Sequence, residues 1–189
     1  MCAKRCRGDY SSEGWVSVAW VFISVGSNIE PEKNVAKAVR ALADRVVLRA
    51  ISTVYLNEPF DRVGDPPFYN CVIEIETNLP PDILKREVLE RVEAELGRVR
   101  SEDKHAPRTI DLDIIVYVEG KGAGEGFSVV DSDIAKRAYL AVPLAEIAPS
   151  LVVGEDGRSA AEIALGFENH NMVSLFDYTK ALRRSVFGG

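Results

Sequence analysis

Residues 110–118 form an apolar run that only two charged side chains interrupt, and this run constrains the fold more than any other stretch. Asp111 and Asp113 are two positions apart, so in a strand both carboxylates lie on the same face. Leu112 and Ile114 would fill the opposite face. Two carboxylates on a buried strand repel each other and lose hydration, and a cation between them offsets both costs. The run therefore predicts a strand that presents an aspartate pair to a positive ligand.

Basic side chains precede the aspartate pair in a polar loop, at Arg98, Arg100, Lys104 and Arg108. Mg²⁺ prefers carboxylate oxygens combined with the phosphate oxygens of a substrate. Cations upstream of such a pair are placed to neutralise phosphates, so the pattern indicates a phosphoryl-transfer site. Two other interpretations stay open: the loop cations are simply solvated, or the aspartates cap a helix and pair with Arg108.

The composition is that of an ordinary folded domain. The chain has 189 residues, 47% of them hydrophobic and 28% charged, with a formal net charge of −6. This length fits one domain with a core of its own. We expect a disordered tail over residues 1–18 and a single domain over residues 19–189. The acidic balance argues against nucleic acid or an anionic membrane as the main partner.

Neither a membrane span nor a secretion signal is expected, because no apolar run approaches 18 residues and the first 13 residues are polar. The three cysteines, at positions 2, 6 and 71, fit neither a zinc pattern nor a disulfide framework. Cys71 is predicted to be a small core residue in a strand. These features favour a reducing cytoplasmic location. The sequence leaves open whether the protein is a monomer or a small homo-oligomer.

The order of predicted elements is β-α-β-β-α-β, with further helices at the end. Strands are predicted at 19–25, 46–55, 68–77 and 110–118, and helices at 31–44 and 80–97. Residues 127–130 are expected to pair back on the fourth strand, and 158–166 and 172–186 to form closing helices. Pro143 is expected to limit regular structure over 139–148. The order predicts an α+β, ferredoxin-like fold with helices on one face of an antiparallel sheet.

Three further positions have both a structural and a ligand-binding interpretation. Gly26, ahead of Ser27 and Asn28, either lets a ligand approach the backbone or makes a plain strand-to-helix turn. Asn70 shares a strand face with Phe68, so its amide either pairs with a flat heterocycle or is satisfied inside the core. Glu93 borders a buried helix stripe and either binds ligand or pairs with a nearby arginine.

Several catalytic classes lack their signatures. The chain has two histidines, His105 and His170, and neither lies in a nucleophile or metalloprotease motif. The P-loop and protein-kinase patterns are absent from the sequence. Phosphate handling must therefore depend on side-chain cations and a carboxylate-bound metal.

Six segments in order resemble the 6-hydroxymethyl-7,8-dihydropterin pyrophosphokinase family over most of residues 20–153. They read FISVGSNIEP, STVY, PFYNCVIEIET, LGRVR, APRTIDLDIIVY and RAYLAVPLAEIAP. GRVR followed at this spacing by PRTIDLDI is the most specific part. The resemblance implies transfer of pyrophosphate from ATP to the hydroxymethyl group of the pterin, with release of AMP.

The resemblance also implies roles for individual residues. Two Mg²⁺ ions would be held by Asp111 and Asp113. Charge on the transferred group would be stabilised by Arg98 and Arg108. The remaining nucleotide positions would be Glu93, Arg100, Ile114 and Arg137. Pterin positions would be Gly26, Phe60, Phe68, Asn70 and Tyr139.

The chain departs from the family pattern at several positions around the expected nucleotide site. Val130 and Asp131 replace a Pro-His pair, and Gly126 stands where a basic residue is expected. The remaining departures are Lys104, His105, Asn57 and Glu58. These changes leave two alternatives: a related transferase with a different alcohol substrate, or a ligand-binding module without catalysis.

Overall fold

A seven-stranded antiparallel sheet organises the computed structural model, which describes residues 18–58, 66–99, 106–120, 126–154 and 156–188. Its strands are β1 Ala19–Ser27, β2 Val47–Ile51, β3 Tyr55–Asn57, β4 Phe68–Thr77, β5 Asp111–Glu119, β6 Gly126–Val130 and β7 Val173–Ser174. Its α-helices are α1 Pro31–Ala43, α2 Pro81–Ile83, α3 Glu90–Glu95, α4 Ala138–Ile147, α5 Ala160–Leu165 and α6 Phe176–Phe187. A π-helical segment, Leu84–Leu89, joins α2 to α3, and a 3₁₀ turn, Ser132–Ala135, precedes α4.

Strand β1 lies at the centre of the sheet, between β5 and β4. β6 continues the sheet beyond β5, and β2 and β3 both pair with β4 on the other side. With α1 after β1 and the α2–α3 helix after β4, the first six elements follow the predicted β-α-β-β-α-β order. The α+β, ferredoxin-like prediction is therefore confirmed, as is the return strand predicted at 127–130.

The sheet has a core on each face. The first core lies under α1 and the α2–α3 helix and includes Val35, Leu42, Leu89, Leu112 and, from α6, Leu182. The second core lies under α4 and α5 and includes Phe22, Val72, Leu144 and Ile163. Residues of β1 contribute to both because successive side chains alternate between faces. The C-terminal helices α4 and α5 thus cover the face that the β-α-β-β-α-β unit leaves bare.

The predicted strand 46–55 forms two strands, because residues 52–54 leave the regular ladder. The Thr53 N–H donates to the Glu146 carboxylate at 2.7 Å, and the Val54 N–H donates to the Thr179 hydroxyl at 2.9 Å. These acceptors come from α4 and α6, far away in sequence. Long-range side chains here replace the strand partners that alternation alone would predict.

The expectation that Pro143 limits regular structure is wrong, because α4 continues through it from Ala138 to Ile147. An interior proline costs about 3 kcal/mol in a helix, since it removes one hydrogen bond and crowds the preceding turn. Leu140, Ala141 and Leu144 are buried in the second core. Full burial of one leucine side chain contributes about 1.5–3 kcal/mol. Packing therefore outweighs the local penalty.

Two smaller predictions concern Cys71 and membrane-spanning helices. Cys71 is 1% exposed in the first core, as predicted for a small core residue. In the described part of the chain, no helix has the length and apolar character needed to cross a membrane. Residues 1–17, most of the predicted tail, lie outside the described residues, as do residues 121–125.

Candidate active site

Gly26 brings together residues of three neighbouring strands. It pairs with Asn70 of β4 on one side and with Asp111 of β5 on the other. A Cβ atom placed on Gly26 would lie 3.2 Å from Asn70 Oδ1 and 3.9 Å from Asp111 Cβ. Paired residues in adjacent strands project to the same face of a sheet. Glycine therefore leaves open the space between an amide and a carboxylate that are 41 residues apart in sequence (111 − 70 = 41).

Asp111 lies between two guanidinium groups. Arg98 donates to its Oδ1 atom and Arg108 donates to its Oδ2 atom. Arg98 also donates to Glu93, whose side chain is 2% exposed. The predicted pairing of Glu93 with a nearby arginine is thus present, and so is an ion pair of Arg108 with one of the two aspartates, Asp111. Four charged residues converge on one partly buried point, where electrostatic interactions are stronger than in water.

Two local features position these arginines. Gly97 has a left-handed backbone (φ 75°) after α3, which lets the Arg98 N–H donate to the Glu93 carbonyl at 3.0 Å. Arg108 is tied to the end of β1, because its N–H donates to Asn28 Oδ1 at 2.8 Å and its carbonyl accepts from the Asn28 N–H at 3.2 Å. The turn after β1 therefore holds the Arg108 backbone in place. This anchoring role of Asn28 was not predicted.

The carboxylates fix the charge of Arg98. Its side chain is 16% exposed. Burial alone would lower the pKa of its guanidinium, but the neighbouring carboxylates of Asp111 and Glu93 outweigh burial and raise that pKa above its ordinary value. Arg98 is therefore a permanent cation at this point.

Asp113 follows Asp111 on the same face of β5 and is more open, with a side chain that is 53% exposed. Its Oδ1 atom accepts from Lys85 Nζ at 2.6 Å. Lys85 also donates to the Leu112 carbonyl at 2.7 Å, and the Leu112 N–H donates to Glu93 Oε1 at 2.8 Å. Lys85 and Glu93 thus cap both main-chain groups of Leu112. Lys85 was not predicted as a site residue, although it lies about two helical turns before Glu93 on the same helix.

Tyr139 and Arg137 lie where α4 begins, on the side of the sheet covered by the second core. Burial raises the pKa of the Tyr139 hydroxyl. The charge of Arg137 opposes that rise, and the carboxylates of Asp133, Asp131 and Asp111 add to it. Asp111 is thus among the charges that act on the Tyr139 hydroxyl.

Other predicted positions lie at different distances from this centre. Phe68 is half-buried and shares the face of Asn70, as its spacing on β4 predicts. Ile114 packs against the first core, on the opposite face of β5 from Asp111. Phe60 and Arg100 lie outside the described residues. So do Lys104 and His105.

The donors suit a hard cation that a substrate helps to bind. No group of three or more His, Cys, Asp or Glu side chains could hold a metal within the described ranges. Mg²⁺ commonly uses one or two carboxylates and takes its other ligands from water and phosphates. Asp111 and Asp113, two oxygen donors on one strand face, fit that mode. A separate cavity of about 430 Å³ beside α6, lined by Lys180 and Arg183 among others, contains none of these site residues.

Comparisons with known proteins identify relatives over most of the chain. Residues 22–149 match the family model described as 7,8-dihydro-6-hydroxymethylpterin-pyrophosphokinase. The chain is 35% identical over 147 residues to the 2-amino-4-hydroxy-6-hydroxymethyldihydropteridine pyrophosphokinase of Pseudomonas aeruginosa, covering 76% of this chain and 88% of that protein. It is 33% identical over 157 residues to the protein of the same name from Haemophilus influenzae, covering 82% and 96%. It is also 31% identical over 179 residues to the folic acid synthesis protein fol1 of Pneumocystis carinii, covering 89% of this chain but 24% of that protein.

Proposed function

This chain belongs to the 7,8-dihydro-6-hydroxymethylpterin-pyrophosphokinase family, and we propose that it carries out the family reaction where Asn70, Gly26 and Asp111 meet. In that reaction a pyrophosphoryl group passes from ATP to the hydroxymethyl oxygen of 6-hydroxymethyl-7,8-dihydropterin, in folate biosynthesis. The pairing of Gly26 with both other residues carries the proposal. It places an amide suited to a heterocycle next to a carboxylate suited to a metal-bound triphosphate.

Asp111 and Asp113 are the residues that would hold Mg²⁺, and we propose two ions. When bound, Mg²⁺ neutralises charge on the triphosphate and orients it. Asp111 is paired with Arg98 and Arg108, and Asp113 is paired with Lys85. These pairs offset the repulsion between the two carboxylates.

Arg98 and Arg108 would stabilise the transferred group. The pterin alcohol attacks the β-phosphorus, and the bond from that phosphorus to the oxygen of the departing AMP breaks. Such reactions depend mainly on positioning and on charge stabilisation. Arg98 would release Asp111 and bind a phosphate oxygen instead. The hydrogen bond from Arg98 to Glu93 would keep the guanidinium in place during this exchange. We assign no separate general base.

The pterin would be bound by Asn70 through its polar edge, with Phe68 and Tyr139 stacking on its two faces. Gly26 gives the ring access to the strand, and Phe60 is proposed to complete the pocket. Phe68 and Asn70 share one strand face, which supports their joint role.

The nucleotide would be contacted by Glu93, Arg100, Ile114 and Arg137, besides the two catalytic arginines. Arg137 is exposed at the start of α4. The Ile114 side chain is partly buried against the first core.

The acid at position 131 is compatible with ATP binding. Its carboxylate accepts the Asp133 N–H at 2.8 Å and so caps the 3₁₀ turn before α4. A capping carboxylate is directed at backbone N–H groups. The departure from the family at Asp131 is therefore expected to reduce ATP affinity only modestly.

The decisive experiment measures AMP formed from Mg-ATP with and without 6-hydroxymethyl-7,8-dihydropterin. Pterin-dependent AMP is the expected result. Turnover with another alcohol but not with the pterin would indicate the related transferase. Nucleotide binding that ignores Mg²⁺, with no AMP formed, would indicate a ligand-binding module. The cytoplasmic location and the disordered tail stay predictions of the sequence.

A further inference from the structure

Lys85 holds the edge of β5 by two hydrogen bonds. It lies in the π-helical segment Leu84–Leu89, and its ammonium is 2.7 Å from the Leu112 carbonyl oxygen and 2.6 Å from Asp113 Oδ1. Segments of π-helix inside longer helices often occur at functional sites. Because the main-chain carbonyl also holds the ammonium, its position beside Asp113 does not depend on the aspartate alone.

The two aspartates have different counter-ions. Both oxygens of Asp111 are taken by arginines that are proposed to move to phosphate. Asp113 is paired with Lys85, for which the family resemblance implies no role. Of the two carboxylate oxygens of Asp113, only Oδ1 has a hydrogen-bond partner among the described residues. A cation bound to the other oxygen would lie within a few ångströms of the ammonium and be repelled by it.

We propose that Lys85 sets the affinity of Asp113 for divalent cations. Its ammonium holds the carboxylate in position and repels a free ion, so the ion binds tightly only together with the anionic triphosphate. This inference rests on the proposed role of Asp113 as a metal ligand. Lys85 is a positioning residue, since it acts through Asp113.

The test measures Mn²⁺ binding without nucleotide, by the loss of the paramagnetic resonance signal of free Mn²⁺. Lys85→Met removes the charge, and Lys85→Gln removes it while keeping a hydrogen-bond donor for the Leu112 carbonyl. Both are expected to bind Mn²⁺ about three- to tenfold more tightly than the wild type. Lys85→Arg, which keeps the charge, is expected to bind like the wild type.

A matched control is Lys33→Met. Lys33 also pairs with a carboxylate, that of Glu30 at 3.1 Å, but on α1. Its loss is expected to leave Mn²⁺ affinity unchanged. The gain from Lys85→Met should also disappear when it is combined with Asp113→Asn. Unchanged or weaker binding by both neutral variants, or a gain that persists without the Asp113 carboxylate, would overturn the proposal.

Failure of this inference is distinguishable from failure of the proposed function. Mn²⁺ binding is measured without turnover, whereas pterin-dependent AMP formation by the wild type reports on the reaction. AMP formation with no change in Mn²⁺ affinity would reject the role of Lys85 alone. A change in Mn²⁺ affinity with no AMP formation would reject the reaction but keep the role of Lys85.

Discussion

Asn70 and Asp111 face each other across Gly26, one from each strand that flanks β1. The amide and the carboxylate belong to opposite halves of the proposed reaction, pterin binding and metal binding. Hydrogen-bonded strands on both sides of β1 fix their separation, so no loop has to close to bring them together. In the proposed reaction, the central sheet would position the two substrates relative to each other, and the arginines that follow α3 and precede β5 would supply the charge.

Asp111→Asn and Asp113→Asn should each reduce pterin-dependent AMP formation by at least about 10²-fold, because each removes a charged oxygen ligand at the point of transfer. Initial rates at saturating Mg-ATP measure this loss. Asp156→Asn is the control, since that carboxylate pairs with Arg158 on the surface. Activity near the wild-type level in either of the first two variants would contradict the metal assignment.

Gly26→Ala should impair the use of the pterin more than the binding of ATP. The new Cβ would lie 3.2 Å from Asn70 Oδ1, so the amide must shift by a few tenths of an ångström. We expect kcat/KM for the pterin to fall about tenfold, with a smaller change in KM for ATP. Gly126→Ala is the control, because its Cβ would have no neighbour within 4 Å. Equal effects on both substrates would contradict a role on the pterin side.

Glu93→Ala should destabilise the fold by about 3–5 kcal/mol, since it removes one partner of a buried ion pair and the acceptor of the Leu112 N–H. Urea unfolding followed by circular dichroism measures the free energy of unfolding. Glu95→Ala removes an exposed partner of Arg45 and should change the free energy of unfolding by less than about 1 kcal/mol. Similar losses in the two variants would show that Glu93 has no special structural role.

The buried thiol of Cys71 should make stability fall at high pH. Burial raises its pKa from 9.0 to about 12, with a smaller contribution from Glu146. The folded state therefore keeps the proton while the unfolded state releases it above pH 9, so this stabilisation is present below pH 9 and is lost as the pH rises toward 12. Relative to Cys71→Ala, the wild type should lose about 1.4 kcal/mol more per pH unit in this window.

Urea unfolding of both proteins at pH 9, 10 and 11 measures that slope. Comparison with Cys71→Ala isolates the one thiol, because Cys2 and Cys6 are present in both proteins. Parallel dependence on pH in the two proteins would contradict the predicted pKa.

The sequence by itself determined the elements whose partners are local or periodic. Alternation placed Asp111 and Asp113 on one strand face, and the apolar spacing predicted a helix over 80–97, where α2, the π-helical segment and α3 lie. The six ordered segments were sufficient to identify the family. These features need no knowledge of what lies across the fold.

Only the tertiary structure decided the features that depend on distant partners. Register placed Asn70 and Asp111 around Gly26, Glu146 and Thr179 broke the strand at 52–54, and burial kept α4 helical through Pro143. The contact of Lys85 with Asp113 is another such feature, because it joins a helix to a strand. Hydrogen bonds and packing between residues far apart in the chain outweigh local propensity, and one sequence read alone carries no sign of which partners will meet.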